Sequence, residues 1–334
     1  MTTPSSATVK PCLVAMGGNS LLDPSHAPTV SNQFGETAKA VVPIAELAVR
    51  GVRVVITHGN GPQVGFMMLR SDAARNIIHP VPLDSLVADS QGAIGYMIQL
   101  KLREELKRRG LDREVVSLVT EVEVDPHDRA FTEPTKPVGK FYSAEEAGQI
   151  REKHGWIMVE DSHRGYRRVV SSPSPVRIVE INSIRALLEQ QITVICCGGG
   201  GIPVVRDDDG HLRGIEAVID KDRASALLAV QLGVERMFIT TGVDAIYVDY
   251  LTDKRRALRD VTCGELRDLV AAGQFPAGSM GPKVEAAIYF LERGGKEVVI
   301  CTPEQLTLAY DGKAGTRILA GPPSATASSP TKEN

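Results

Sequence analysis

Three glycine-rich turns each follow directly on a short apolar run. CLVAM leads into Gly17-Gly18-Asn19-Ser20, VRVVITH into Gly59-Asn60-Gly61, and ITVICC into Gly198 to Gly201. A buried parallel strand whose carboxyl end opens onto a ligand has this pattern, apolar and then abruptly small. Glycine has no Cβ, so backbone N–H groups come close to an anion and positive φ turns are accepted. One such turn is commonplace; the repetition points to a phosphate-bearing ligand. Further apolar runs near 114–120, 235–241 and 297–302 join those near 9–16, 52–57 and 192–197. Helical periodicity fills the gaps. Ala38, Val41, Val42, Ala45, Ala48 and Val49 recur at three-to-four spacing, as do Ile181, Ile184, Leu187 and Leu188. Pro43 predicts a kink or an altered boundary in the first of these helices. The stretch from Asp84 to Arg109 predicts a long helix in which Gly92 and Gly95 permit close packing. Strands alternating with helices make this an α/β chain with a mostly parallel sheet covered on both faces.

One stretch breaks that rhythm. From about 124 to 174 the chain is rich in proline, glycine and charge, with PTKPVGKFY and SSPSPV at its ends, and reads as a flap or small subdomain above the sheet edge. The final residues, GPPSATASSPTKEN (321–334), read as a disordered tail. The 334-residue length and 43% hydrophobic content allow one large domain or two lobes. A formal net charge of −3 gives no reason to expect nucleic acid or an acidic membrane as partner, so local positive charge must hold any anionic ligand. No apolar run reaches spanning length, and the first residues, MTTPSSATVK, lack an apolar signal core. Five cysteines, with Cys196 and Cys197 read as adjacent strand residues on opposite faces, suit inert core thiols in a reducing cytoplasm.

Lysines recur where helices begin. Asp220-Lys221-Asp222 precedes an apolar helix face, either aspartate being a suitable N-cap. Gly281-Pro282-Lys283 opens another, with Pro282 suited to the first helical position. A lysine at a helix N-terminus opposes the macrodipole by roughly 0.3–1 kcal/mol. That cost makes sense where an anion shares the place; a solvated lysine is the alternative for either one alone. Lys136, between Pro134 and Pro137, is presented by a stiff loop as a substrate clamp or simply lies exposed. His58 suits a structural role more than a ligand contact, and Asp244 either lines a nucleotide pocket or serves a turn. The run LREELKRR (102–109) reads as a solvated helix face. There is no G-x-x-x-x-G-K-[ST], the GNGPQVG spacing is not that of a dinucleotide fingerprint, and no Cys/His cluster suggests a metal site.

Taken in order, LVAMGGNSLL, THGNGPQVG, SQGAIGYM, FTEPTKPVGKFY, CCGGGGIPVV, GIEAVIDKDRAS and AGSMGPKVEAA resemble carbamate kinase, within the amino-acid kinase superfamily. The resemblance implies a three-layer αβα sandwich on a mostly parallel sheet of about eight strands, with a small protruding subdomain. It implies an N-terminal lobe (1–215) for carbamate and carbamoyl phosphate, a C-terminal nucleotide lobe (216–320), and a homodimer. It implies MgATP plus carbamate in equilibrium with MgADP plus carbamoyl phosphate, run toward ATP in arginine or purine-derivative breakdown.

Carried onto this chain, Gly17, Gly18, Asn19 and Ser20 face the transferring phosphoryl group, and Gly59, Asn60 and Gly61 shape the carbamate side. Lys136 clamps carbamoyl phosphate, Lys221 and Lys283 neutralise phosphoryl charge, and Asp222 orients them. Thr241, Gly242, Val243, Asp244, Tyr247, Ser279, Met280 and Gly281 contact the nucleotide, and Mg²⁺ is held by its phosphates and water. Carbamate is already an anion, so no general base is needed. Departures from the family pattern at Ser20, Ser162, His163, Tyr166 and Ser171 predict room for a larger carbamate or carboxylate acceptor.

Overall fold

The computed structural model describes residues 10–22, 25, 28–161, 165–275 and 280–321. Its centre is an eight-stranded sheet in the order Asp260–Thr262, Thr316–Leu319, Glu297–Cys301, Arg236–Thr240, Cys12–Met16, Val54–His58, Thr193–Ile195, Val115–Ser117. All the strands expected from apolar runs are there, and neighbours from Glu297–Cys301 to Val115–Ser117 pair in parallel. The two unexpected strands, DVT and TRIL, are too short to stand out as apolar runs. Thr316–Leu319 pairs antiparallel with Glu297–Cys301, and Asp260–Thr262 follows it in parallel, so that edge is reversed. Only a 3₁₀ turn and the short helix Leu306–Tyr310 connect Cys301 to Thr316, whereas a parallel return needs a full crossover.

Every residue of Cys12–Met16, Val54–His58 and Glu297–Cys301 is buried, as strands covered on both faces must be. Side-chain alternation divides the core into two layers. Leu13, Ala15 and Val55 join one, with Leu228, Ala287 and Phe290. Cys12, Val14, Met16, Val54 and Ile56 join the other, with Val41, Ile44, Ile94 and Ile98.

The helix Val30–Val49 is capped by Thr29, whose hydroxyl accepts from the Asn32 amide, and it runs through the buried Pro43 without a changed boundary. The long helix spans Leu83–Arg108. Gly95 allows the expected close packing, since a Cβ there would collide with the Ser117 hydroxyl, while Gly92 faces open space. Cys196 and Cys197 differ from expectation. They lie past the strand end, Cys197 in the left-handed region at φ 50, and both pack in one core layer. All five thiols are free and buried, and burial pushes Cys12 and Cys301 up to about 12.

The proline-rich stretch folds as an antiparallel sheet of Lys136–Tyr142, Tyr166–Val170 and Met158–Glu160, with the helix Ala144–His154 beside it. Lys136 therefore begins a strand, opposite Val170, rather than sitting in a loop. The stretch is rooted in a second sheet, Leu212–Gly214, Ile202–Arg206, Glu121–Val124, Pro175–Ile178, which periodicity did not reveal. Gly65 and Gly139 meet where the helix Gly61–Ala73 crosses the Lys136 strand; a Cβ on Gly65 would lie 2.7 Å from Gly139 Cα. No helix among the described residues is long and apolar enough to cross a membrane. Residues 322–334, expected as a tail, lie outside the described residues.

Candidate active site

The carboxyl ends of the central parallel strands deliver the glycine turns to one place. Met16 lies beside His58 in register, and the Gly17 amide donates to Thr240 Oγ1 at 3.4 Å. The first two turns touch backbone to backbone: a Cβ on Gly59 would lie 2.8 Å from the Gly18 amide nitrogen and 3.2 Å from Lys221 Cδ. The third turn packs beneath them, with Gly199 against the Asn60 amide and Gly198 against His58. The glycines thus serve contact between turns as well as ligand approach. Asn60 is buried and donates to Ser90 Oγ at 2.8 Å, and Ser20 turns its hydroxyl back onto the Gly17 carbonyl at 2.5 Å. Asn19 sits in the 3₁₀ turn Gly18–Leu21.

Above these turns is a cavity of about 640 Å³ whose wall includes Gly17, Gly18, Ser20, Gly59, Asn60 and Gly61 together with Lys136, Lys221, Asp222 and Lys283. Two aspartates organise the three lysines. Asp220 caps the helix Lys221–Leu232, Oδ1 accepting from the Asp222 and Arg223 amides, while its Oδ2 accepts from Lys136 Nζ at 3.0 Å. Asp222 is buried and accepts from Lys221 Nζ at 2.5 Å on one oxygen and from Lys283 Nζ at 3.1 Å on the other. Residues 84 and 61 positions apart in sequence are thereby tied through two aspartates that flank Lys221.

Burial alone would push the Asp220 carboxyl up; the Lys136 and Lys221 ammonium groups outweigh it and hold the carboxyl well below its ordinary range. Lys221 is pushed down by burial and by Lys283, against the pull of Asp222. Three ammonium groups facing two carboxylates leave a local excess of one positive charge in a partly dehydrated site. A polyanion fits there, its oxygens taking up donors that the aspartates do not consume.

Thr241 and Gly242 line the same cavity. Val243, Asp244, Tyr247, Met280 and Gly281 are not part of its wall, and Asp244 instead accepts from the Tyr247 hydroxyl at 2.7 Å. Ser279 lies outside the described residues. The helix carrying Lys283 is Met280–Glu292, so Pro282 falls inside its first turn rather than at its first position. Sequence reasoning missed the grip of Asp220 on Lys136, and it missed Glu36, Lys39, Thr302 and Glu304 at the cavity rim. The doubled aspartate in IDKD was the available signal for the first. The rim residues carry none, since they arrive from the first helix and from the loop after Cys301.

His58 takes the structural role. It is buried outside the cavity wall, and its Nδ1 donates to the Gly59 carbonyl at 3.1 Å. Burial, helped by the charge on Lys221 and opposed by that hydrogen bond, lowers the imidazole from 6.5 to about 4. Between those values the unfolded chain binds a proton that the folded protein refuses. The stability contributed by the neutral ring is therefore complete above pH 6.5 and drains away toward pH 4, by about 3 kcal/mol. Urea melts of the parent and of His58→Gln at pH 7 and 4.5 test this. The gap between the two proteins narrows at the lower pH, and a constant gap rules the assignment out.

The amino acid kinase family pattern matches residues 10–302. A carbamate kinase from Pyrococcus horikoshii is 45% identical over 92% of this chain and 98% of its own length. A carbamate kinase-like protein, YahI, from Escherichia coli is 44% identical over 92% of the chain and 98% of its own. Among solved structures, carbamate kinase from Giardia lamblia bound to AMP-PNP superposes with a TM-score of 0.87 at 39% identity, covering 94% of this chain and 99% of that one. With the sheet, the glycine turns and the paired lysines all in place, the chain belongs to the amino acid kinase family, in its carbamate kinase branch.

Proposed function

We propose that this protein is an ATP-dependent carbamate kinase, transferring a phosphoryl group reversibly between MgATP and carbamate to give MgADP and carbamoyl phosphate. The observation that carries the reading is the gathering of Lys136, Lys221 and Lys283 around Asp220 and Asp222, in one cavity floored by glycine turns. Lys221 and Lys283 spread positive charge over the equatorial oxygens, the turn amide at Gly18 donates to the group in flight, and Asp222 fixes the two lysines. Lys136, on its own strand, closes over the carbamoyl end. Thr241 and Gly242 begin the nucleotide side, and the C-terminal lobe carries the rest of it. Carbamate attacks through an oxygen that has no proton to lose, so the transfer needs no general base.

The two aspartates deepest in the cavity are already paired with lysines, a donor set suited to magnesium that arrives on the nucleotide phosphates. When bound there it would withdraw charge from the phosphoryl oxygens. Of the departures from the family pattern, Tyr166 and Ser171 stand away from the cavity wall and the Ser20 hydroxyl is spent on Gly17; Ser162 and His163 lie outside the described residues. This supports carbamate itself over a larger acid. The same reading holds that the enzyme works as a cytoplasmic homodimer and runs toward ATP in the breakdown of arginine or purine derivatives.

Purified protein mixed with carbamoyl phosphate, ADP and Mg²⁺ makes ATP, read by luciferase luminescence. Light scattering on the same preparation reads the dimer. No ATP from folded protein sinks the assignment, and turnover of acetyl phosphate as fast as carbamoyl phosphate sinks the acceptor.

A further inference from the structure

A second cavity, of about 270 Å³, lies away from the lysines, where the far end of the helix Gly61–Ala73 meets the flap sheet and the loop Pro80–Pro82. Its wall carries two guanidinium groups and two carboxylates, Arg75, Arg168, Asp72 and Glu216, beside the apolar side chains of Met68, Leu83 and Leu86. Arg168 is the unusual member. Its guanidinium stacks on the Trp156 ring at 4.3 Å, yet among the described residues it forms no hydrogen bond and no ion pair. Burial lowers its pKa, against the charges of Glu216 and Asp72. A half-buried fork of five donors without an acceptor calls for a partner. Asp72 has a matching deficit. Its Oδ1 is buried without a hydrogen bond, the Arg75 Nε standing 3.2 Å away, and Arg75 is also engaged by His154 Nδ1 at 2.9 Å.

We infer that this cavity binds a small zwitterion, an apolar α-amino acid, with its carboxylate on Arg168 and its ammonium between Asp72 and Glu216. A bare anion reaching Arg168 meets both carboxylates, and a bare cation meets both arginines. A ligand bearing both charges satisfies each deficit, and Met68, Leu83 and Leu86 receive its hydrocarbon side chain. The site is coupled by construction to the lysine cavity. Arg168 pairs with Val138, two residues from Lys136, and the helix that supplies Asp72 starts at Gly61 in the other cavity wall. An amino acid here would pin the flap to that helix and so bias the position of Lys136. The inference concerns binding and stands independently of the transfer reaction.

Calorimetric titration with L-leucine, acetate and methylamine tests it. L-leucine binds with a Kd of about 1 mM or tighter, and neither half-ligand saturates at that level. Arg168→Gln weakens L-leucine by at least about tenfold, as loss of a charge-assisted bond does. Glu216→Gln, at an exposed position, weakens it by about threefold or more. Lys283→Ala leaves the titration unchanged. Amide exchange in the strand Lys136–Tyr142 slows when L-leucine is added. The inference fails if L-leucine does not saturate, if acetate binds equally well, or if Glu216→Gln binds like the parent. Unchanged exchange in that strand overturns the link to the flap.

Discussion

Lys283→Ala lowers kcat for ATP formation by at least about 100-fold, as expected for removal of a transition-state charge stabiliser. The ammonium is held at 3.1 Å by Asp222, itself buried, so its position is set before substrate arrives. Removing it leaves the Asp222 carboxylate with Lys221 alone, and the local excess of positive charge over Asp220 and Asp222 vanishes. The loss falls mainly on kcat, because negative charge on the transferring oxygens is redistributed toward the transition state. Binding of nucleotide weakens less, since glycine turns and the remaining lysines still face it. Initial rates with ADP and carbamoyl phosphate varied in turn separate the two. A rate within tenfold of the parent, in protein with unchanged circular dichroism, would exclude Lys283 from the reaction.

Gly59→Ala strikes the same centre through the backbone. The added methyl meets the Gly18 amide nitrogen at 2.8 Å and Lys221 Cδ at 3.2 Å, and the first of these is main chain in a half-buried turn. Neither turn can give way without parting from the other, so the distance between the phosphoryl side and the carbamate side opens. Expected results are a loss of about 1–3 kcal/mol in unfolding free energy, the range for overpacking, and a fall in kcat/KM of roughly 100-fold from misplacement of the reacting ends. Gly92→Ala is the control. It faces open space on the exposed side of a helix, where alanine adds about 0.5–1 kcal/mol of helix stability. Urea denaturation and steady-state kinetics on both variants decide it. Equal behaviour of the two proteins would show that the Gly18–Gly59 contact is immaterial.

Much of the scaffold was legible in the residues. The strands expected from apolar runs are where those runs stand, because burial on both faces leaves an uninterrupted apolar signature. The long helix came within a residue of its observed ends. Other features were not legible for physical reasons. The second sheet is built from strands such as EVEV and LRG, in which one face is solvated and the run is short. Pro43 was expected to disturb its helix, yet the helix continues, its buried position fixed by tertiary packing rather than by local preference. Lys136 was expected on a proline-stiffened loop, and strand pairing with Val170 took that role instead.

In the site, the structure brings the glycine turns and the three lysines expected from the sequence to one cavity, which local patterns did not foretell. Asp222, expected to orient lysines, accepts from Lys221 and Lys283; Asp220, expected only as a cap, also accepts from Lys136. The Lys136 and Lys283 pairings join residues 84 and 61 positions apart, beyond any local pattern.

The chain's own order of residues determined which strands are buried, where they stop in glycine, and which cations stand at helix starts, since each depends on neighbours a few positions away. Only the folded structure decided that these cations share one cavity and two aspartates, that the second cavity forms beneath the flap, and that one sheet edge runs backward. Those outcomes depend on distances between segments remote in sequence, which sheet register and core packing set together.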